Sequence, residues 1–167
     1  MREQALAERI WHGDDLISRS ARVALLPAEL VYRALVRAHG ALYDLGIFRS
    51  FAPELPTISI GNLSVGGTGK TPVAAWIAGE LAGRGAHPAI VMRGYGDDEP
   101  LVHRRLNPNV PVVAAPDRVA GIARAARQGA DIAILDDGFQ HRRVRRDADI
   151  VLLSADAWTP RHHLLPA

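Results

Sequence analysis

Residues 57–71 read Thr57-Ile58-Ser59-Ile60-Gly61-Asn62-Leu63-Ser64-Val65-Gly66-Gly67-Thr68-Gly69-Lys70-Thr71. An apolar-alternating strand enters a glycine-rich turn that ends in Gly-Lys-Thr. A helical pattern follows through Ala74, Ala75, Ile77, Ala78 and Leu81. This is the layout of a phosphate-binding P-loop. Glycines let successive backbone N–H groups turn inward and approach phosphate oxygens closely. The helix start adds unpaired N–H groups and the positive end of its dipole. In that layout Lys70 reaches the outer phosphates and the Thr71 hydroxyl is placed for Mg²⁺. The first motif position is Ser64 where the common pattern has glycine. The bland alternative is a glycine-rich turn with a surface lysine. The strand before and the helix after are the context that favours the phosphate reading.

The 167 residues are enough for one domain with a core of its own. A formal net charge of +2 gives no reason to expect nucleic acid. Lys70 is the single lysine among 20 basic residues, which fits a specific role in the loop. The chain has no cysteine, which excludes disulfides, thiolate metal sites and a cysteine nucleophile. The charged N-terminus lacks the apolar core of a secretory signal, and no apolar run is long enough to span a membrane.

Beyond the P-loop helix, expected over about 71–83, apolar strands are expected at 86–92, 110–115, 131–135 and 150–153. Helices are expected near 99–106 and from the N-cap Asp117 to about Gln128. Strands alternating with helices argue for an α/β fold: a P-loop NTPase-like, mostly parallel sheet flanked by helices. Ahead of it, Leu26, Leu30, Ala34, Leu35, Ala38, Leu42 and Leu45 recur at helical spacing, with Glu29, Arg33 and Arg37 on another face. That N-terminal amphipathic helix either packs on its own domain or lies in a membrane surface. Residues 1–50 are assigned to this segment and residues 51–167 to the P-loop domain.

Two acidic clusters carry chemistry. Ile132-Ala133-Ile134-Leu135 runs into Asp136-Asp137-Gly138. An apolar strand ending in aspartate is the usual P-loop partner, because its carboxylate helps to hold Mg²⁺. Many strands also end in plain Asp-Gly turns. Asp97, Asp98 and Glu99 follow the second strand, on the sheet edge where ligands gather. They make either a solvated turn or a carboxylate that accepts a proton from an attacking hydroxyl. The run Gln140-His141-Arg142-Arg143-Val144-Arg145-Arg146 is either a solvated face or a steering surface for a phosphorylated substrate. His141 fits a base, a phosphate ligand or a structural hydrogen-bonder.

Gly61 to Pro72, Arg93-Gly94-Tyr95, Asp98-Glu99-Pro100, Asp117-Arg118, Asp136 to His141 with Asp147, and Leu164-Leu165-Pro166-Ala167 together resemble the tetraacyldisaccharide 4′-kinase family, the lipid A kinases. The resemblance runs in the family's order over nearly the whole chain. It implies transfer of the ATP γ-phosphoryl group to the 4′-hydroxyl of a lipid A disaccharide precursor carrying a 1-phosphate. It also implies Mg²⁺ and a peripheral protein on the cytoplasmic face of a bacterial inner membrane, which favours the membrane reading of the N-terminal helix. No obligate protein partner is evident. By motif position, Ser64, Val65, Gly66, Gly67, Thr68, Gly69, Lys70 and Thr71 wrap the ATP phosphates. Asp98 matches the catalytic aspartate, acting with a histidine, Lys70 is the other catalytic residue through the phosphates it reaches, and Thr71, Asp136 and Asp137 serve Mg²⁺. Arg93, Arg118, Gln140 and His141 are candidate substrate contacts. The family has a longer segment where Gly96 and Asp97 alone bridge two motifs here. It also continues past Ala167 into a second α/β domain holding the histidine partner of the catalytic aspartate. The resemblance therefore implies the N-terminal half of the enzyme. An alternative class is a membrane-associated P-loop ATPase switch, whose loop often carries an extra lysine that this chain lacks. A third is an inert truncation product.

Overall fold

Three strands, β1 (Thr57–Asn62), β2 (Pro88–Met92) and β4 (Ile132–Asp136), are almost continuously buried. The apolar runs of β2 and β4 suit strands covered on both faces, and the alternating β1 buries Thr57 and Ser59 as well as Ile60. The computed structural model describes residues 16–63, 68–94 and 98–154. Ser64, Val65, Gly66, Gly67, Tyr95, Gly96, Asp97 and the 164–167 motif lie outside the described residues. Two edge strands, β3 (Val112–Ala114) and β5 (Ala148–Leu152), complete a five-stranded sheet in the order β3-β2-β4-β1-β5. Every pairing is parallel, with Thr57 opposite Ala133 and Ile58 opposite Ala148. The expected α/β architecture is what forms.

Alternate residues of the strands feed two cores, as a period of two requires. Ile60, Ile90 and Ile134 pack with Ala74 and Ala78 of α2 (Lys70–Gly83). Ala89, Val91, Ala133 and Leu135 pack with Ile122 and Ala125 of α4 (Arg118–Arg127). Asp117 caps α4 as expected, its carboxylate accepting the Val119 N–H at 3.0 Å. The remaining sheet helix, α3 (Asp98–Leu106), is tied to α2 by Asn107 Nδ2 donating to the Ala75 carbonyl at 2.7 Å.

β4 and β5 are joined without a helix. The connection runs back along β1. Gly138 N donates to Ile60 O, Phe139 packs on Gly61, and Phe51 forms a parallel bridge with Val144. Asp147 Oδ2 then accepts the Thr57 N–H at 2.8 Å, closing the start of β1. A Cβ at position 61 would collide with the Phe139 Cβ and backbone. Gly61→Ala is therefore expected to destabilise the chain by about 1–3 kcal/mol, read as a lower urea midpoint at unchanged slope. A midpoint equal to wild type would show that Phe139 yields freely.

α1 (Leu16–Asp44) belongs to one compact unit, and the sheet, from Phe48 onwards, to another. Helical spacing from residue 21 anticipates it. Gly46, at φ 69°, follows the end of the helix in the left-handed conformation glycine favours. Glu29 and Arg33 pair one turn apart. Of the apolar stripe, Leu26, Leu30 and Leu35 are exposed.

Candidate active site

The site lies at the carboxyl edge of the sheet, beyond the ends of β1, β2 and β4, where open parallel sheets bind ligands. β1 leads into the loop and α2 leaves it. Gly69 sits immediately before α2 at φ 80°, a conformation that costs glycine nothing. Lys70 then opens the helix and Thr71 follows in its first turn.

The ammonium of Lys70 is held between two elements. It donates to Asn62 Oδ1 at 2.9 Å and lies 3.4 Å from Asp137 Oδ1. Asn62 is buried at the end of β1, so its amide oxygen is a fixed acceptor. Asp137 follows β4 with φ 56°, the left-handed region that aspartate tolerates better than most residues. The sheet pairs β1 directly with β4, so the Gly-Lys-Thr turn and the Asp-Asp turn meet across one strand gap.

Asp136, the last residue of β4, is 4% exposed. One carboxylate oxygen, Oδ2, lies 2.7 Å from Nε2 of the fully buried His103. The other, Oδ1, is buried and has no hydrogen-bond partner among the described residues. His103 is absent from the sequence reading. Its signal was a histidine one turn after Pro100, between the aliphatic pair Leu101-Val102 and the basic pair Arg104-Arg105. The helix buries Pro100 and His103 and leaves Leu101, Val102 and Leu106 exposed.

Asp98 opens α3, on the same sheet edge, just after β2. Arg93 is exposed at the end of β2 and Gln140 is exposed in the β4–β5 connection. Arg118 is buried, its Nη1 donating to the Ala115 carbonyl at 2.9 Å. Two arginines of the basic run, Arg143 and Arg146, are engaged within the fold. Arg146 donates to the carbonyl of His141 at 3.1 Å and pairs with Asp149 at 3.0 Å. Arg143 lies 3.6 Å from Asp117 and over the Phe51 ring.

His141 sits among these arginines. Partial burial, then the Arg118 guanidinium, push its pKa below the ordinary 6.5, with Asp117 opposing. The imidazole is therefore neutral at neutral pH. Below pH 6.5 the unfolded chain takes up this proton more readily than the folded one. His141 thus withdraws stability as the pH falls from that value toward its folded pKa. An NMR titration of the His141 ring is expected to show a midpoint under 6.5. A higher midpoint would contradict this placement among guanidinium groups.

The family described as LpxK, tetraacyldisaccharide-1-P 4′-kinase, matches residues 21–99 and 96–167. The chain belongs to this family. The two matched segments overlap at residues 96–99. A tetraacyldisaccharide 4′-kinase of Anaeromyxobacter sp. (strain Fw109-5) is 40% identical over 97% of this chain and 50% of its own length. That of Halorhodospira halophila is 41% identical over 94% of this chain and 52% of its own. The LpxK of Aquifex aeolicus, solved in complex with ATP, superposes with a TM-score of 0.75 at 34% identity, over 81% of this chain and 50% of that one. The chain thus spans about half the length of the curated LpxK relatives it matches.

Proposed function

We propose that this chain carries the nucleotide-binding and phosphoryl-transfer machinery of a tetraacyldisaccharide 4′-kinase. In this reading ATP gives its γ-phosphoryl group to the 4′-hydroxyl of a tetraacyldisaccharide 1-phosphate. The observation that carries the reading is Lys70 at the mouth of α2, held beside Asn62 and Asp137 at the strand ends. Membership of the LpxK family and the likeness to an ATP-bound LpxK support it.

The Ser64–Thr71 loop donates backbone N–H groups to the phosphates, and Lys70 leaves its two acceptors to neutralise the outer ones. The donor set fits Mg²⁺: a threonine hydroxyl at the helix start and two adjacent carboxylates, one with a buried oxygen that has no partner among the described residues. Thr71, Asp136 and Asp137 would hold the ion, which when bound offsets phosphate charge. Asp98 accepts the proton of the sugar hydroxyl as the new O–P bond forms and the bond to the departing ADP breaks. Arg93, Arg118, Gln140 and His141 are assigned to the phosphorylated lipid.

Residues 1–50 are read as a membrane-surface segment and 51–167 as the kinase portion. The exposed leucines of α1 support an apolar face lying on a membrane surface, and the cytoplasmic face of the inner membrane is the location that the family resemblance implies. No described helix is long and apolar enough to cross a membrane.

The test is transfer of labelled γ-phosphate from MgATP to tetraacylated disaccharide 1-phosphate in detergent micelles, with Lys70→Ala as control. Labelled lipid that depends on Lys70 is the expected result. Lys70-dependent ATP hydrolysis without labelled lipid would favour a nucleotide switch. Neither activity, with no nucleotide binding, would overturn the reading.

A further inference from the structure

α3 is turned against its own hydrophobicity. Leu101, Val102 and Leu106 are 55%, 44% and 54% exposed, while His103 on the same helix has no exposed surface. Burying an imidazole and leaving three aliphatic side chains in water is unfavourable unless the imidazole meets a specific partner. The partner is Asp136 Oδ2, at 2.7 Å. This bond joins residues 33 positions apart in the chain, one on the helix opened by Asp98 and one on the strand that ends beside Lys70 and Asp137.

The two oxygens of Asp136 are thereby divided. Oδ2 is occupied by His103, while Oδ1 is buried with no partner among the described residues. A carboxylate with neither oxygen held can rotate about its terminal bond and present either one. With Oδ2 anchored, a single oxygen remains for a ligand. The anchor is directional, because a carboxylate accepts and so Nε2 must carry the proton. The Nδ1 atom has no partner among the described residues, so the link to Asp136 is the polar contact that explains the burial.

We infer that His103 is a positioning residue for the magnesium-holding carboxylate: it donates from Nε2 to Asp136 Oδ2 and fixes Oδ1 as the oxygen offered to the ion. This rests on the ATP and Mg²⁺ reading above. Outer groups that hydrogen-bond a ligating side chain fix its orientation, and their loss lowers metal affinity by roughly 10–100-fold. The same bond holds α3, and with it the backbone at Asp98, in register with the end of β4.

The experiment separates metal from nucleotide. A fluorescent ATP analogue is titrated into the chain without Mg²⁺, and Mg²⁺ is then titrated into the complex, for wild type, His103→Leu and His103→Gln. Lys70→Ala serves as the nucleotide-site control. Metal-free nucleotide affinity is expected to stay within about twofold across the His103 variants. The Mg²⁺ needed for half-saturation is expected to rise roughly 10–100-fold in His103→Leu. His103→Gln should recover part of that loss, because its amide N–H can still donate to Asp136. Wild-type Mg²⁺ dependence in a folded His103→Leu overturns the inference. So does a Gln variant no better than Leu. If His103→Leu does not fold, wild type decides by NMR. A solvent-protected imidazole Nε2–H that shifts on adding Mg²⁺ is expected, and its absence overturns the assignment. A wild-type chain that binds no nucleotide would instead overturn the proposed function, and this inference would fall with it.

Discussion

Lys70→Ala is expected to weaken MgATP binding by roughly 10- to 150-fold, the equivalent of losing one hydrogen bond to a charged partner. The side chain is 22% exposed, enclosed enough for its charge to be poorly screened and open enough to reach a ligand. In the structure its ammonium is shared between Asn62 Oδ1 and Asp137 Oδ1. ATP replaces those acceptors with phosphate oxygens of higher charge, and alanine offers neither. No other lysine exists in the chain to compensate. Isothermal titration of wild type and variant with MgATP measures the effect, and the urea midpoint of each checks that the fold is intact. Equal affinities in two folded proteins would remove the phosphate role of this loop.

Asp98→Ala is expected to lower phosphoryl transfer by about 10²–10⁴-fold in an enzyme of full family length, the usual contribution of a positioned proton acceptor. Its ATP affinity should stay close to wild type, because the nucleotide phosphates are assigned to the turn after β1. Asp98 lies at the first residue of α3, which emerges after β2 on the ligand edge of the sheet. Single-turnover transfer and ATP titration on the same preparation separate the two effects. Transfer at the wild-type rate would make Asp98 an ordinary turn residue, and a parallel loss of ATP affinity would move it into the nucleotide site.

The sheet and the Lys70–Asp137 meeting were legible in the sequence because both rest on local signals. The runs Thr57–Gly61 and Ile132–Leu135 are strands by composition, and each ends in a turn whose chemistry names its partner. Strand order was not legible. It depends on pairings such as Ile58 with Ala148, which no local pattern encodes. His103 escaped for a different reason. Amphipathic reasoning buries Leu101, Val102 and Leu106, and only the position of Asp136 makes the opposite face of α3 the favourable one. The arginine run was likewise ambiguous. Arg143 and Arg146 find Asp117 and Asp149, contacts that arise because the β4–β5 connection folds back across the start of β1.

The order β3-β2-β4-β1-β5 also governs how the protein comes into being. β1 precedes every other strand in the chain, yet both its neighbours, β4 and β5, are made last. Thr57 leaves the ribosome roughly 75 residues before its partner Ala133, a delay on the order of 4–15 s at ordinary synthesis rates. During that interval the strand that carries the nucleotide loop has neither edge paired. A nascent chain arrested ahead of Ile132 should therefore leave the β1 amides open to hydrogen exchange, and the nucleotide site should appear only as the closing strands emerge.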